Sequence, residues 1–166
     1  MTGRAVTLRA MRWWDIEPVL ALEREVFPED AWTPGMFWSE LALTAGPRRS
    51  RHYVLAEDPA GGSPAGYAGL AVAGDQADVQ SIAVAPARQG TGLGARLLTD
   101  LLSAARAAGC GEVFLEVRVD NARAQRLYTR FGFEPLGIRR GYYQPGNHDA
   151  LVMRRSAPGD DHHDES

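Results

Sequence analysis

The sequence predicts an α/β fold of the mixed α+β kind, a mostly antiparallel sheet with a central parallel strand pair and helices on both faces. Three observations carry that expectation. Between residues 52 and 85, strand-like runs are joined by short turn-rich links, which is the pattern of antiparallel hairpins. From Ser81 to Val119 a strand, a glycine-rich loop, a leucine-striped helix and another strand form a crossover, which sets two strands parallel. The last apolar runs, on either side of "QPGNH", read as a closing hairpin.

Taken in order, Asp15 is placed to cap a helix whose Ile16, Val19, Leu20, Val26 and Phe27 fall near one face. In "TPGMFWSEL", Thr33 is a second cap, Pro34 stands at the first helical position, and Phe37 and Leu41 are one turn apart. "HYVLAE", "AGYAGLAVAG" and "ADVQSIAVA" are strands linked by "DPAGGSP" and "GDQ". Leu93, Leu97, Leu98, Leu101, Leu102 and Ala105 stripe a helix that ends at Gly109, and "EVFLEVRV" follows as a strand. Asn121 to Phe131 is a helix closed by Gly132, with "LGIRRGYY" and "DALVMRR" as the final strands.

Bulk properties narrow the function classes. With 166 residues, 45% of them hydrophobic, the chain can bury a full core as one domain over residues 1–155. Residues 156–166, "SAPGDDHHDES", are expected to be a disordered acidic tail. The net charge is −3, and Asp160, Asp161, Asp164 and Glu165 lie in that tail, so the folded part is near neutral. Bulk attraction to nucleic acid or to an anionic membrane is therefore not expected. One cysteine, Cys110, excludes an internal disulfide, and no apolar run reaches membrane-spanning length, so a cytoplasmic protein is expected. His162 and His163 in the tail lack the fixed partners of a metal site, and no metal is expected.

The chemistry is concentrated in "SIAVAPARQGTGLGARLL". Gly90, Gly92 and Gly94 let the backbone approach an anion, and the helix behind them aims free N–H groups at it. A phosphate or pyrophosphate suits the loop; so does a plain tight connection with no ligand. A nucleoside triphosphate loop is disfavoured, because Ala95 and Arg96 stand where Lys and Ser or Thr are needed. A dinucleotide fingerprint fits Gly90, Gly92 and Ala95, but Pro86 and its neighbours separate the loop from its strand, and hairpins precede it. By pattern alone Glu116 is a solvated strand-face residue and Tyr128 a core aromatic.

"RQGTGLG" resembles the Q/R-x-x-G-x-G/A pyrophosphate loop of the GNAT (Gcn5-related) N-acetyltransferases, with Gln89, Gly92 and Gly94 at the pattern positions. "IAVAP" before it and the Asn121 to Phe133 segment after it are similar to that family as well. "FLEVRVDN", "LYTRFGF", "RRGYY" and "DALVM" resemble its RimI branch, the ribosomal-protein-alanine N-acetyltransferases, over Arg4 to Arg154.

The resemblance implies the acyl-CoA N-acyltransferase fold, acetyl-CoA as co-substrate, and a protein N-terminal amine as acceptor, an alanine on a ribosomal protein. It implies that Ile82, Ala83 and Val84 meet the acetyl and pantetheine portion, that Gln89, Gly90, Thr91, Gly92, Leu93, Gly94 and Ala95 wrap the pyrophosphate, and that Asn121 fixes the pantetheine arm. It assigns Glu116 as general base and Tyr128 as general acid at the CoA sulfur, with Tyr142, Tyr143, Phe27 and Trp32 toward the acceptor. Cys110, at a helix-to-strand turn, is not expected to carry the acetyl group. Arg139, Arg140, Arg154 and Arg155 are strand charges or contacts to CoA phosphates. No direct nucleic acid or membrane partner is implied, and the chain is expected to be a monomer or weak dimer. A relaxed-specificity or small-amine acetyltransferase, a non-catalytic CoA-binding sensor and a dinucleotide-binding module remain the competing readings.

Overall fold

The computed structural model describes residues 6–143 and 148–156, the side chains of 141–143 and 148 excepted. Seven strands form one sheet: β1 (Thr7–Ala10), β2 (Arg51–Glu57), β3 (Gly66–Ala73), β4 (Gln76–Val84), β5 (Glu112–Arg118), β6 (Glu134–Tyr143) and β7 (His148–Ser156). The helices are α1 (Ile16–Val26), α2 (Pro34–Leu41), α3 (Leu93–Ala107) and α4 (Ala122–Arg130). The spatial order is β1-β2-β3-β4-β5-β7-β6. Neighbours are antiparallel except for β4 and β5, the parallel pair that the crossover through α3 requires.

The two sheet faces bury different residues. Leu93, Leu97, Leu98 and Leu101 of α3 and Tyr128 of α4 pack on Val113, Leu115 and Val117 of β5 and on Val54, Ala68 and Leu70. On the opposite face, Ile16, Val19 and Leu20 of α1 and Phe37 of α2 pack on Tyr53, Leu55, Tyr67 and Ala83. Alternation along each strand produces this split, since successive side chains point to opposite faces.

Two irregularities interrupt the sheet near its centre. The register between β3 and β4 shifts between Gly69 and Leu70, which face Ser81 and Val79, so Gln80 is the extra residue of a bulge. Ser81 and Ala83 thereby join the α1 side, while Ile82 and Val84 pack toward α3. The β4–β5 ladder covers three residues, from Gln76↔Glu112 to Asp78↔Phe114. Beyond it β4 runs on to Val84 and β5 to Arg118 without pairing to each other.

The start of the chain departs from expectation. The sequence pattern does not reveal β1, because a four-residue strand at a sheet edge carries too little alternation to stand out. Asp15 does not cap α1 through its side chain; it ends a 3-10 turn, Trp13–Asp15. Its carboxylate is buried and accepts two bonds from Arg9, at 2.7 and 2.8 Å, and one from the Arg12 amide at 2.7 Å. Thr33 caps α2 as expected, its hydroxyl accepting from the Met36 N–H at 3.3 Å. Ser156, expected in the tail, pairs with Glu112 at the end of β7. The rest of the tail, with His162 and His163, lies outside the described residues.

Glycine substitutions test this packing. A Cβ on Gly69 would stand 2.2 Å from the ring of Tyr53, which is buried and bonded to Glu40, so Gly69→Ala is expected to cost about 2 kcal/mol in denaturant unfolding. Gly35, inside α2 with nothing near its Cβ position, is the control, and Gly35→Ala is expected to gain about 0.5 kcal/mol.

Burial alone pushes the Asp15 carboxyl up, but the Arg9 guanidinium and the Arg12 amide outweigh it and hold it below the usual carboxylate range. Stabilisation by the ion pair is therefore complete above the unfolded-state pKa of about 4 and is lost as pH falls through the lower folded-state value. Urea midpoints of wild type and Asp15→Asn are expected to differ at pH 7 and to converge in strong acid.

Candidate active site

A cleft of about 920 Å³ opens at the ends of β4 and β5, bounded by the loop after β4, the first turn of α3, the flank of α4 and the end of α1. Its floor is a helix terminus. Gly90 and Gly92 adopt left-handed φ of 79° and 86°, a conformation open to glycine at little cost, and Gly92 stands at the N-cap with no side chain to offer. The first bond of α3 returns Arg96 N–H to the Gly92 carbonyl at 3.1 Å, so the amides of Leu93, Gly94 and Ala95 have no intrahelical acceptor. Those donors and the positive end of a 15-residue helix form an anion cradle.

Side chains clamp the cradle. Gln89 donates to the Val84 carbonyl at 3.4 Å and accepts from Arg123 at 3.0 Å, joining β4, the loop and α4. The Thr91 hydroxyl donates to the Arg88 carbonyl, and Arg88 pairs with Asp58 at 2.5 Å. Arg88, Arg123, Arg126 and Arg130 border the cleft, a concentration of positive charge fit for a ligand with several phosphates. Sequence reasoning missed these arginines, although the spacing of Arg123, Arg126 and Arg130 along α4 is a readable signal. The arginines it did single out lie elsewhere: Arg139 pairs with Glu116, and Arg155 donates to the Phe131 carbonyl at 2.8 Å.

Of the residues expected to hold the co-substrate, Ile82, Val84, Gln89, Gly90, Gly92, Gly94, Ala95 and Asn121 line the cleft. Ala83 and Leu93 do not; their side chains are buried in the two cores, which leaves only their backbone groups for a ligand. Thr91 also stands outside the lining. Asn121 caps α4, its Oδ1 accepting from Ala124 N–H at 3.1 Å, so its amide NH2 is the group left for pantetheine.

The expected acid and base stand on opposite faces of β5. Tyr128 borders the cleft from α4, edge-on to Phe133, and burial pushes its hydroxyl up to about 12. The hydroxyl stays protonated at neutral pH, and among the described residues it has no hydrogen-bond partner. Glu116 alternates with the buried Leu115 and Val117, so it points to the α1 side, where it pairs with Arg139 of β6. It does not line the cleft. Burial and the Glu116 charge together raise the Asp78 carboxyl on β4, which places Asp78 and Glu116 on one face at the point where the two strands part.

The acceptor-side expectations separate. Phe27 lines the cleft, while Trp32 turns away, its ring centroid 5.0 Å from that of Phe37 and 6.3 Å from that of Tyr53. Trp32 borders instead a second depression of about 520 Å³, with Met36, Ser39, Glu40 and Gln80. The side chains of Tyr142 and Tyr143 lie outside the described residues. In the wall of the main cleft, Arg118 at the end of β5 bonds Asp120 at 2.8 Å, Asp30 at 3.3 Å and Glu29 at 3.4 Å, which straps β5 to the loop after α1. Cys110 is buried between α3 and β5, at the far end of β5 from the cleft, and burial pushes its thiol up. Among the described residues no cluster of metal-ligating side chains is present.

Residues 12–133 match the family model described as Acetyltransferase (GNAT) family. The chain is 41% identical over 157 residues to the N-alpha-acetyltransferase RimI of Mycobacterium tuberculosis, covering 92% of this chain and 93% of that protein. It is 36% identical over 118 residues to the ribosomal protein bS18-alanine N-acetyltransferase of Escherichia coli, covering 70% of this chain and 78% of the relative. A crystal structure of the Escherichia coli ribosomal-protein-S18-alanine N-acetyltransferase superposes with a TM-score of 0.78 at 30% identity, over 94% of this chain and 97% of that one. With the anion cradle, the split sheet and these matches together, the chain belongs to the acetyltransferase (GNAT) family.

Proposed function

We propose that the protein transfers the acetyl group of acetyl-CoA to the N-terminal α-amine of a protein, an alanine of a small-subunit ribosomal protein, by direct attack in a ternary complex. The observation that carries the reading is the early end of the β4–β5 ladder at Asp78↔Phe114. It leaves a gap through the sheet with the phosphate cradle and Tyr128 on one side and Glu116 on the other. Donor and acceptor then approach from opposite faces and meet in the gap. The Mycobacterium tuberculosis and Escherichia coli relatives, the second acting on bS18 alanine by its name, support the acceptor class.

The residues present fit acetyl-CoA. The free amides of Leu93, Gly94 and Ala95 and the arginines of the rim suit its phosphates, the Asn121 amide suits the pantetheine, and β4 beyond Asp78 offers backbone groups unused by β5. Acetyl-CoA supplies an activated thioester. On the other face, Glu116 draws the proton from the amine as its nitrogen bonds to the carbonyl carbon. An α-amine, with a pKa of about 8, is already partly neutral at pH 7, so a carboxylate is base enough; a lysine amine at about 10.4 asks for much more. Tyr128, too weak an acid to lose its proton outright, hydrogen-bonds the departing sulfur and stabilises its charge. Holding both reactants in one gap supplies much of the remaining acceleration. We read the enzyme as cytoplasmic, a monomer or weak dimer, and without nucleic acid or membrane as a direct partner.

Thiol release from acetyl-CoA with short peptides tests this reading. Turnover is expected on free N-termini, highest with Ala first, and absent on a blocked peptide carrying an internal lysine. Glu116→Gln is expected to lower kcat about a hundredfold and Tyr128→Phe about tenfold, each with the acetyl-CoA dissociation constant little changed. Because Tyr128 stays protonated, kcat/KM is expected to rise as the α-ammonium loses its proton near pH 8 and to show no fall below about pH 10. A fall in that range would mean that a group required in its protonated form titrates below about pH 10, against the burial-raised hydroxyl of Tyr128.

A further inference from the structure

Glu23, on α1, is among the most completely buried side chains of the protein, with 1% of its surface exposed. Among the described residues the other buried acid, Asp15, has an arginine against it; Glu23 is held by neutral donors. The Tyr67 hydroxyl of β3 donates to its Oε1, and so does the Ser81 hydroxyl of β4 at 3.2 Å, the two hydroxyl oxygens standing 2.9 Å apart. The backbone N–H of Trp32 donates to Oε2 at 3.3 Å. Three elements thus converge on one carboxyl inside an apolar layer made of Val19, Leu20, Phe37 and Tyr67.

The cost of this arrangement says where its benefit lies. Taking a carboxyl out of water is unfavourable, and burial pushes Glu23 up while its three donors only partly offset that. An apolar residue would complete the layer without the cost, so what Glu23 contributes is geometry. Two of its partners are where the reaction needs fixing. Ser81 directly follows the Gln80 bulge and directly precedes Ile82–Val84, in the part of β4 that β5 no longer pairs. Trp32 anchors the loop after α1 that carries Phe27 and Glu29 at the rim of the cleft and Asp30 against Arg118.

We propose that Glu23 is a positioning residue for acetyl transfer, binding the acceptor-side loop at Trp32 to the unpaired donor strand at Ser81 and so setting the distance between amine and thioester. This inference rests on the acetyltransferase reading. Its effect belongs in the chemical step rather than in donor affinity, since the phosphate cradle is built by the glycine loop and α3, which Glu23 does not touch.

The test compares kcat, the KM for an Ala-initiated peptide, the calorimetric dissociation constant of acetyl-CoA and Tm in the full chain. Glu23→Met, similar in length but unable to receive the three donors, is expected to lower kcat about twentyfold and raise the peptide KM, with acetyl-CoA affinity kept within about threefold. Glu23→Gln can still accept from Trp32 N–H and meet both hydroxyls, and is expected to recover to within about threefold of wild type. If Glu23→Met does not fold, Ser81→Ala and Tyr67→Phe, each removing one contact, are expected to show the same split at about threefold.

Three results would overturn the proposal: wild-type kinetics in the folded variants, a loss that follows acetyl-CoA affinity or Tm and so reports packing alone, or Glu23→Gln as slow as Glu23→Met, which would make the carboxyl's proton the operative feature. Failure of the underlying reading looks different. It appears as absence of wild-type turnover on every free-amine peptide, before any variant is compared, and the positioning role falls with it.

Discussion

The parting of β4 from β5 is the constraint on which the rest of the site depends. A sheet is normally a closed wall, because each strand satisfies its backbone groups on its neighbours. Here the ladder stops after three residues and both strands continue, so the wall has an opening edged with peptide groups. The Gln80 bulge adds a second effect, turning Ile82 and Val84 toward α3 and Ser81 and Ala83 toward α1. The same short segment therefore presents one set of groups to the donor face and another to the acceptor face.

An opening in a sheet must be held open, and the surrounding interactions divide that work. Along its far edge β5 is fully paired to β7 from Glu112 to Arg118, and β4 stays paired to β3. Gln89 and Arg123 tie the loop after β4 to α4, Arg118 straps β5 to the loop after α1, and Glu23 ties that loop to Ser81 on the α1 side of β4. None of these contacts alone is strong; exposed ion pairs such as Arg118–Glu29 contribute little to stability. Their value is in restricting where the ends of β4 and β5 can stand.

Much of this architecture was legible in the sequence where local signals were strong. The leucine stripe of α3, the glycines at 90 and 92 and the Thr33-Pro34 cap each have a local physical cause, and each stands where it was expected. What was not legible depended on distant partners. The insertion of β7 between β5 and β6 is decided by pairing across the whole sheet. Asp15 reads as a cap until Arg9 is seen to claim it. Glu23 did leave a trace: it falls on the same helical stripe as Ile16, Val19 and Leu20, and an acid on an apolar stripe is a sign of a buried polar contact. The second depression beside Trp32 left none, because it is formed where α2 meets Gln80 across the sheet face, a contact between segments distant in sequence.

Placing donor and acceptor on opposite faces has an evolutionary consequence. On the proposed reading, substitutions on the α1 side of the gap can alter which amine is admitted while the glycine loop and the α4 arginines keep the anion cradle for the same donor. A lineage can thus explore new acceptors without rebuilding its energy source. Glu23 sets a limit on that freedom, since it joins the loop after α1 to the strand whose other face carries Ile82 and Val84, and drift there disturbs both at once.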